Sequence, residues 1–209
     1  MGKDSKRFLK GVASGYAYMI TSLLVSLWLV PFTLKYLTKP EYAIFAIAGD
    51  LLTWLGLAGL GVSAVFNSRG AQLMGKRDIG ELNIVASTTF FTQLASAIII
   101  ILAGIVVTLK PELLFSKEAS AEHLQLVVAI LVMSYTISFI FQPLNSMLIA
   151  SKQIHIDNYL KFGLLAITTC LTVFFLIRGL KLLSLAISNF IGTIIISIIT
   201  WIRVKRTLG

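Results

Sequence analysis

The residues best equipped for chemistry in this 209-residue chain are few, and most lie inside long apolar runs. Asp50 is the one acid in the run Tyr42–Phe66, about 12 Å beyond its start at a helical rise of roughly 1.5 Å per residue. A carboxylate near the bilayer centre costs about 2.5–3.5 kcal/mol on insertion scales, so it is expected to face protein or water. Three roles are open to it: a hydrogen-bonded or protonated helix contact, a coupling site for a cation or proton, and a substrate contact. Four runs also carry polar residues three or four positions apart, on one helix face. These are Ser14, Tyr18, Ser22 and Ser26; Thr89, Thr92, Gln93 and Ser96; Ser134, Ser138, Gln142 and Asn145; and Asn189, Thr193, Ser197 and Thr200. Such stripes either hydrogen-bond across helix contacts, for about 0.6–2 kcal/mol each, or line a hydrated cavity. With Gln and Asn among them, some are expected to share a cavity.

Other chemistry lacks its groups. No Ser-His-Asp set, paired intramembrane carboxylates or glycine-rich phosphate loop occurs, so an enzyme is not expected and no cofactor is implied. His123 and His155 fall in different connections, expected on opposite sides of the membrane, where they share no metal. The single cysteine, Cys170, builds neither a disulfide framework nor a zinc site within the chain. Asp78 and Glu81 precede an apolar run, where acids suit a helix start. Gly11 with Gly15, and the cluster Gly56, Gly59 and Gly61, are expected at close helix contacts, and Pro31 and Pro143 as kinks.

The elements that hold these residues follow from composition. Hydrophobic residues make up 57% of the chain and charged residues 13%, with mean hydropathy +0.90, far from the roughly 25% charge of a soluble domain. Disorder is excluded. Apolar stretches reach the length of about 20 residues that crosses the hydrocarbon. They predict an all-α membrane protein of six transmembrane helices, at about 11–36, 42–66, 84–109, 124–151, 159–177 and 182–202. A basic tail over 1–10 precedes them and a short carboxyl end over 204–209 follows. The charge-free stretch Gly11–Leu34 exceeds a secretory signal's apolar core and reads as a retained helix.

Orientation follows from the basic residues. With the amino terminus inside, twelve Lys and Arg fall on the cytoplasmic side (Lys3, Lys6, Arg7, Lys10; Arg69, Lys76, Arg77; Lys152, Lys161; Arg203, Lys205, Arg206) and six on the other. Both termini are therefore expected in the cytoplasm. The net charge of +9 is read as this bias and as attraction to anionic lipid, not as a nucleic-acid site.

The order of short segments carries a resemblance. A basic amino terminus leads to Pro31-Phe32-Thr33-Leu34-Lys35-Tyr36-Leu37, then Pro40-Glu41-Tyr42-Ala43, a helix closing on Gly59-Leu60-Gly61, and a basic connection with Arg69 and Gly75-Lys76-Arg77-Asp78. Over about residues 5–95 this resembles the start of a Wzx-type polysaccharide flippase, of the multidrug/oligosaccharidyl-lipid/polysaccharide exporter superfamily. Ala43 stands where that family often has Gly, and Gly59 where it often has Asp, so no role of the family acid passes to position 59. The resemblance implies one six-helix lobe of a two-lobed transporter in a bacterial cytoplasmic membrane. Such a transporter passes undecaprenyl-diphosphate-linked sugar repeats outward by alternating access. It also implies either a truncated amino-terminal lobe, the carboxyl end over 204–209 included, or pairing with a second lobe.

On that reading Asp50, Ser22, Ser26, Gln93, Ser138, Gln142, Asn145 and Asn189 are the candidates for ion coupling or the substrate path, since uncharged donors and acceptors suit sugar hydroxyls. Arg69, Lys152 and Lys161 are the candidates for the diphosphate. Membrane lipid, the lipid-linked oligosaccharide and glycosyltransferases or a polymerase are the expected partners. Two alternatives remain: an ion-coupled multidrug or small-molecule exporter of the same superfamily, and a non-transporting scaffold for glycosyltransferases.

Overall fold

Backbone amides and carbonyls in lipid must find partners within the protein, and a helix supplies them inside one segment. The computed structural model describes residues 3–76, 78–110, 124–151 and 153–208, with side chains outside 3–8, 55–60 and 207–208. Every element among them is an α-helix: α1 (Lys3–Thr33), α2 (Lys39–Lys76), α3 (Ile79–Leu109), α4 (Leu124–Ala150), α5 (Ile154–Ile177) and α6 (Leu182–Leu208). Five spans within the described residues are long and apolar enough to cross a membrane: Leu9–Thr33, Ile79–Leu109, Leu124–Ala150, Ile154–Ile177 and Leu182–Arg206. Leu27, Trp28, Phe91, Ile99, Leu102 and Met133 are each more than half exposed, an apolar surface that water does not tolerate on this scale. The chain is a multi-pass membrane protein.

Helix α4 is the centre of the bundle. It packs against α2, α3 and α6, while α5 bridges α6 to α1. Leu37, Ile44, Leu52, Ile100, Leu131 and Leu185 form its buried apolar cluster. Contact is closest where Gly104 of α3 meets α4, since an added Cβ would lie 2.4 Å from Val132 Cγ1. Gly192 does the same for α6 on α5, with a Cβ position 2.6 Å from Thr168 Cγ2. Gly11 lies against Ile154 and its carbonyl accepts a hydrogen bond from Asn158 Nδ2 at 3.0 Å, so the amino-terminal glycine does mark a helix contact. Gly61 does not: among the described residues, no atom of a neighbouring element comes within 4 Å of its Cβ position. Gly56 and Gly59 lie outside the residues whose side chains are described.

Helices successive in the chain alternate in direction. Gly70 faces Ala150, Gly11 faces Ile154 and Gly163 faces Ile196. The starts of α1, α3 and α5 therefore share one end of the bundle with the ends of α2, α4 and α6.

Several boundaries differ from the sequence expectation, each for a local reason. The amino-terminal segment expected as a tail is helical from Lys3. Helix α1 ends at Thr33 rather than 36. A capping box starts α2 at Lys39: the Thr38 backbone N–H donates to Glu41 Oε2 at 2.7 Å, and the Glu41 N–H to Thr38 Oγ1 at 3.4 Å. Helix α2 then continues ten residues past 66 through Arg69, because Phe66, Gly70 and Leu73 keep one buried face at helical spacing. Helix α3 begins at Ile79 rather than 84, where the Asp78 carboxylate accepts from the Glu81 N–H at 3.0 Å. Helix α5 begins at Ile154 rather than 159, and α6 extends to Leu208. Pro31 and Pro143 lie within helices that run on beyond them.

Candidate functional site

The polar stripes of α4 and α6 converge. They border, with α5, a partly open cavity of about 220 Å³ lined by Ser138 and Asn145 of α4 and by Thr193, Ser197 and Thr200 of α6, with Phe141, Leu160, Leu164 and Ile196 as its apolar wall. Helix α5 adds Asp157 and Lys161. The cavity exceeds the roughly 30 Å³ share of one water several-fold, and its lining offers neutral hydroxyls and an amide beside one carboxylate and one ammonium.

Asp157 gives this cavity its charge. Its side chain is 5% exposed and meets Lys161 Nζ at 2.7 Å, one helical turn on. Lys161 is 48% exposed, so the ammonium sits toward solvent and the carboxylate inward. A buried carboxylate needs such a partner. The ammonium is a cation tethered to the same helix as the carboxylate it pairs with. Along α6, the Thr193 hydroxyl donates to Asn189 Oδ1 at 3.3 Å, extending the polar row one turn beyond the cavity.

The other expected site residues separate from this group. Gln93 of α3 is buried, and its Nε2 donates to Ser63 Oγ of α2 at 2.9 Å and to Gln142 Oε1 of α4 at 3.4 Å. Gln93 and Gln142 therefore tie three helices together away from the cavity. Ser22 donates to the Met19 carbonyl of its own helix at 2.9 Å, and Ser26 is exposed on α1. Asp50 also lies on an exposed face, beside Gly49, whose helix neighbour Thr53 donates to the Gly49 carbonyl. It lines no part of the cavity.

Two of the three expected phosphate-binding cations, Arg69 and Lys161, each pair with an acid among the described residues. Arg69 pairs with Glu81 across the α2–α3 turn, Lys161 pairs with Asp157, and Lys152 lies outside the described residues.

Asp157 is the residue that sequence reasoning missed. The polar cluster Gln153–Asn158 reads as a connection, yet Asp157, Lys161 and Leu164 already repeat at four and three positions, the spacing of one helix face. Asn158, next to it, is buried and donates to Ser14 Oγ of α1 at 2.9 Å, so consecutive polar residues serve two different helix contacts. Compared with family models, curated proteins and solved structures, the chain matches none of them.

Proposed function

We propose that this chain is a transport lobe whose six helices, with α2 crossing over its apolar run Tyr42–Phe66, span a bacterial cytoplasmic membrane with both termini in the cytoplasm. Its cargo on this reading is a lipid-linked oligosaccharide, flipped outward by alternating access against a second six-helix lobe. The observation that carries the reading is the α4–α5–α6 cavity, where Ser138, Asn145, Thr193, Ser197 and Thr200 stand beside the apolar Phe141, Leu160, Leu164 and Ile196. Its hydroxyl and amide groups suit sugar hydroxyls, which need donors and acceptors without fixed charge.

Asp50 supports a partner lobe. A carboxylate on the exposed face of a membrane helix requires water or protein over it, and the faces of α1 and α2 that carry Asp50 and Ser26 are open. A second lobe closing there would supply both the cover and the other wall of a hydrated path.

A second reading, ion-coupled export of a small molecule, is favoured by one observation: the buried Asp157 carboxylate paired with a half-exposed ammonium. Reconstitution in liposomes with the partner lobe separates the two. Replacing Asn145 with Leu should abolish flipping of oligosaccharide-lipid while leaving ion dependence of any residual transport unchanged. Dye efflux that responds to Asp157→Asn, with no flipping by the unaltered protein, would replace the first reading by the second.

A further inference from the structure

A second concave surface lies apart from the cavity, on the outer face between α2 and α3. Its mouth, about 540 Å³, is lined by Ser68, Arg69, Gln72, Lys76 and Glu81. Val65 and Arg69 carry it on into a groove of about 510 Å³ lined by Val62, Val85, Thr88 and Thr92. From Gly61 to Lys76 the two together follow α2 for sixteen residues, about 22 Å of helix. That is about half the thickness of a bilayer counted with its headgroups.

The chemistry changes along this length. At the mouth, the described charged residues are two cations and one anion, a net single positive charge. Deeper in, the Thr88 and Thr92 hydroxyls already donate to the carbonyls of Ile84 and Thr88, each at 2.8 Å. Their donor hydrogens are satisfied within the helix, and with the valines they make a surface suited to hydrocarbon.

We infer that this groove seats one anionic glycerophospholipid of the leaflet that meets the Arg69–Lys76 end of the bundle. The phosphodiester lies on Arg69 and Lys76, and an acyl chain runs along Val65, Val62 and Val85. Charge and depth both select this occupant. One phosphodiester carries the single negative charge that balances the mouth, and one leaflet matches the length. A second copy of the chain docked here by a two-fold axis would set each Arg69–Lys76 pair against its equivalent, which like charges oppose. Glu81 tunes the site, since its pairing with Arg69 competes with the phosphate. The inference uses only the membrane-crossing part of the proposed function, not the transport.

Native mass spectrometry of the delipidated full chain, titrated with phosphatidylglycerol or phosphatidylcholine, tests it. The unaltered protein should retain one phosphatidylglycerol about tenfold more tightly than phosphatidylcholine. The double variant R69Q/K76Q should lose that preference, and Glu81→Gln should strengthen it. Equal retention of the two lipids, an unchanged preference in R69Q/K76Q, or a dimer that excludes lipid would overturn the assignment. Val85→Trp, in a background with Trp28, Trp54 and Trp201 each replaced by Phe, keeps the test independent of whether the double variant folds: phosphatidylglycerol brominated on its acyl chain should quench it more than brominated phosphatidylcholine does. Equal quenching would count against the site. Failed transport by cavity variants would leave this result untouched.

Discussion

Asp157 and Lys161 are where a single residue tests the most. Removing the ammonium by Lys161→Met leaves a carboxylate that is 5% exposed without its partner, and this should lower stability by about 1–3 kcal/mol. Neutralising both, in D157N/K161M, should recover most of that loss, because the unpaired charge and not the absent bond dominates it. Thermal unfolding in detergent reads both values; a double variant no more stable than Lys161→Met would show that the pair does not act as a unit. The sequence made half of this site legible. Ser138 and Asn145 were visible from their types and spacing, whereas Lys161 was expected only as a phosphate contact near the membrane surface. Asp157 was not, because the turn that precedes it is polar and its burial depends on α6 and α4 closing over α5. Asp50 is the complementary case: its depth along a helix is legible from sequence, but which face is covered depends on neighbours far along the chain.

Helices were legible wherever apolar residues set the pattern, and their ends were not. The extension of α2 through Arg69 rests on Phe66, Gly70 and Leu73 packing inward, a pattern that the polar residues between them mask. Close contacts were equally hidden, since Gly104 and Gly61 look alike in sequence. Only Gly104 faces a neighbour, with its Cβ position 2.4 Å from Val132 Cγ1. Gly104→Ala should therefore destabilise the α3–α4 contact by about 1–3 kcal/mol through overpacking. Adding Val132→Ala should restore part of it by making room, whereas Gly61→Ala should not cost packing energy. Unfolding midpoints of these variants check the expectation, and a Gly104→Ala protein as stable as the unaltered chain would contradict the close approach.

At the scale of the whole molecule, alternating helices gather Arg69, Lys76, Lys161 and Arg203 toward one end, and the α4–α5–α6 cavity with its charged pair lies toward the same side. The class of protein was legible because composition alone demands a membrane. Which stripes met across the bundle was not, since helix spacing gives a face but no partner. The central claim, that this cavity is wet and opens to one aqueous side, has a direct test. In a Cys170→Ala background, Ser138→Cys and Ser197→Cys are each exposed in intact membranes to a membrane-impermeant thiol reagent, with Ile198→Cys, whose side chain is exposed on the bundle's outer surface, as the lipid-facing control. The account predicts labelling of both cavity positions from the cytoplasmic side and none of the control; cavity positions as inert as the control would contradict it.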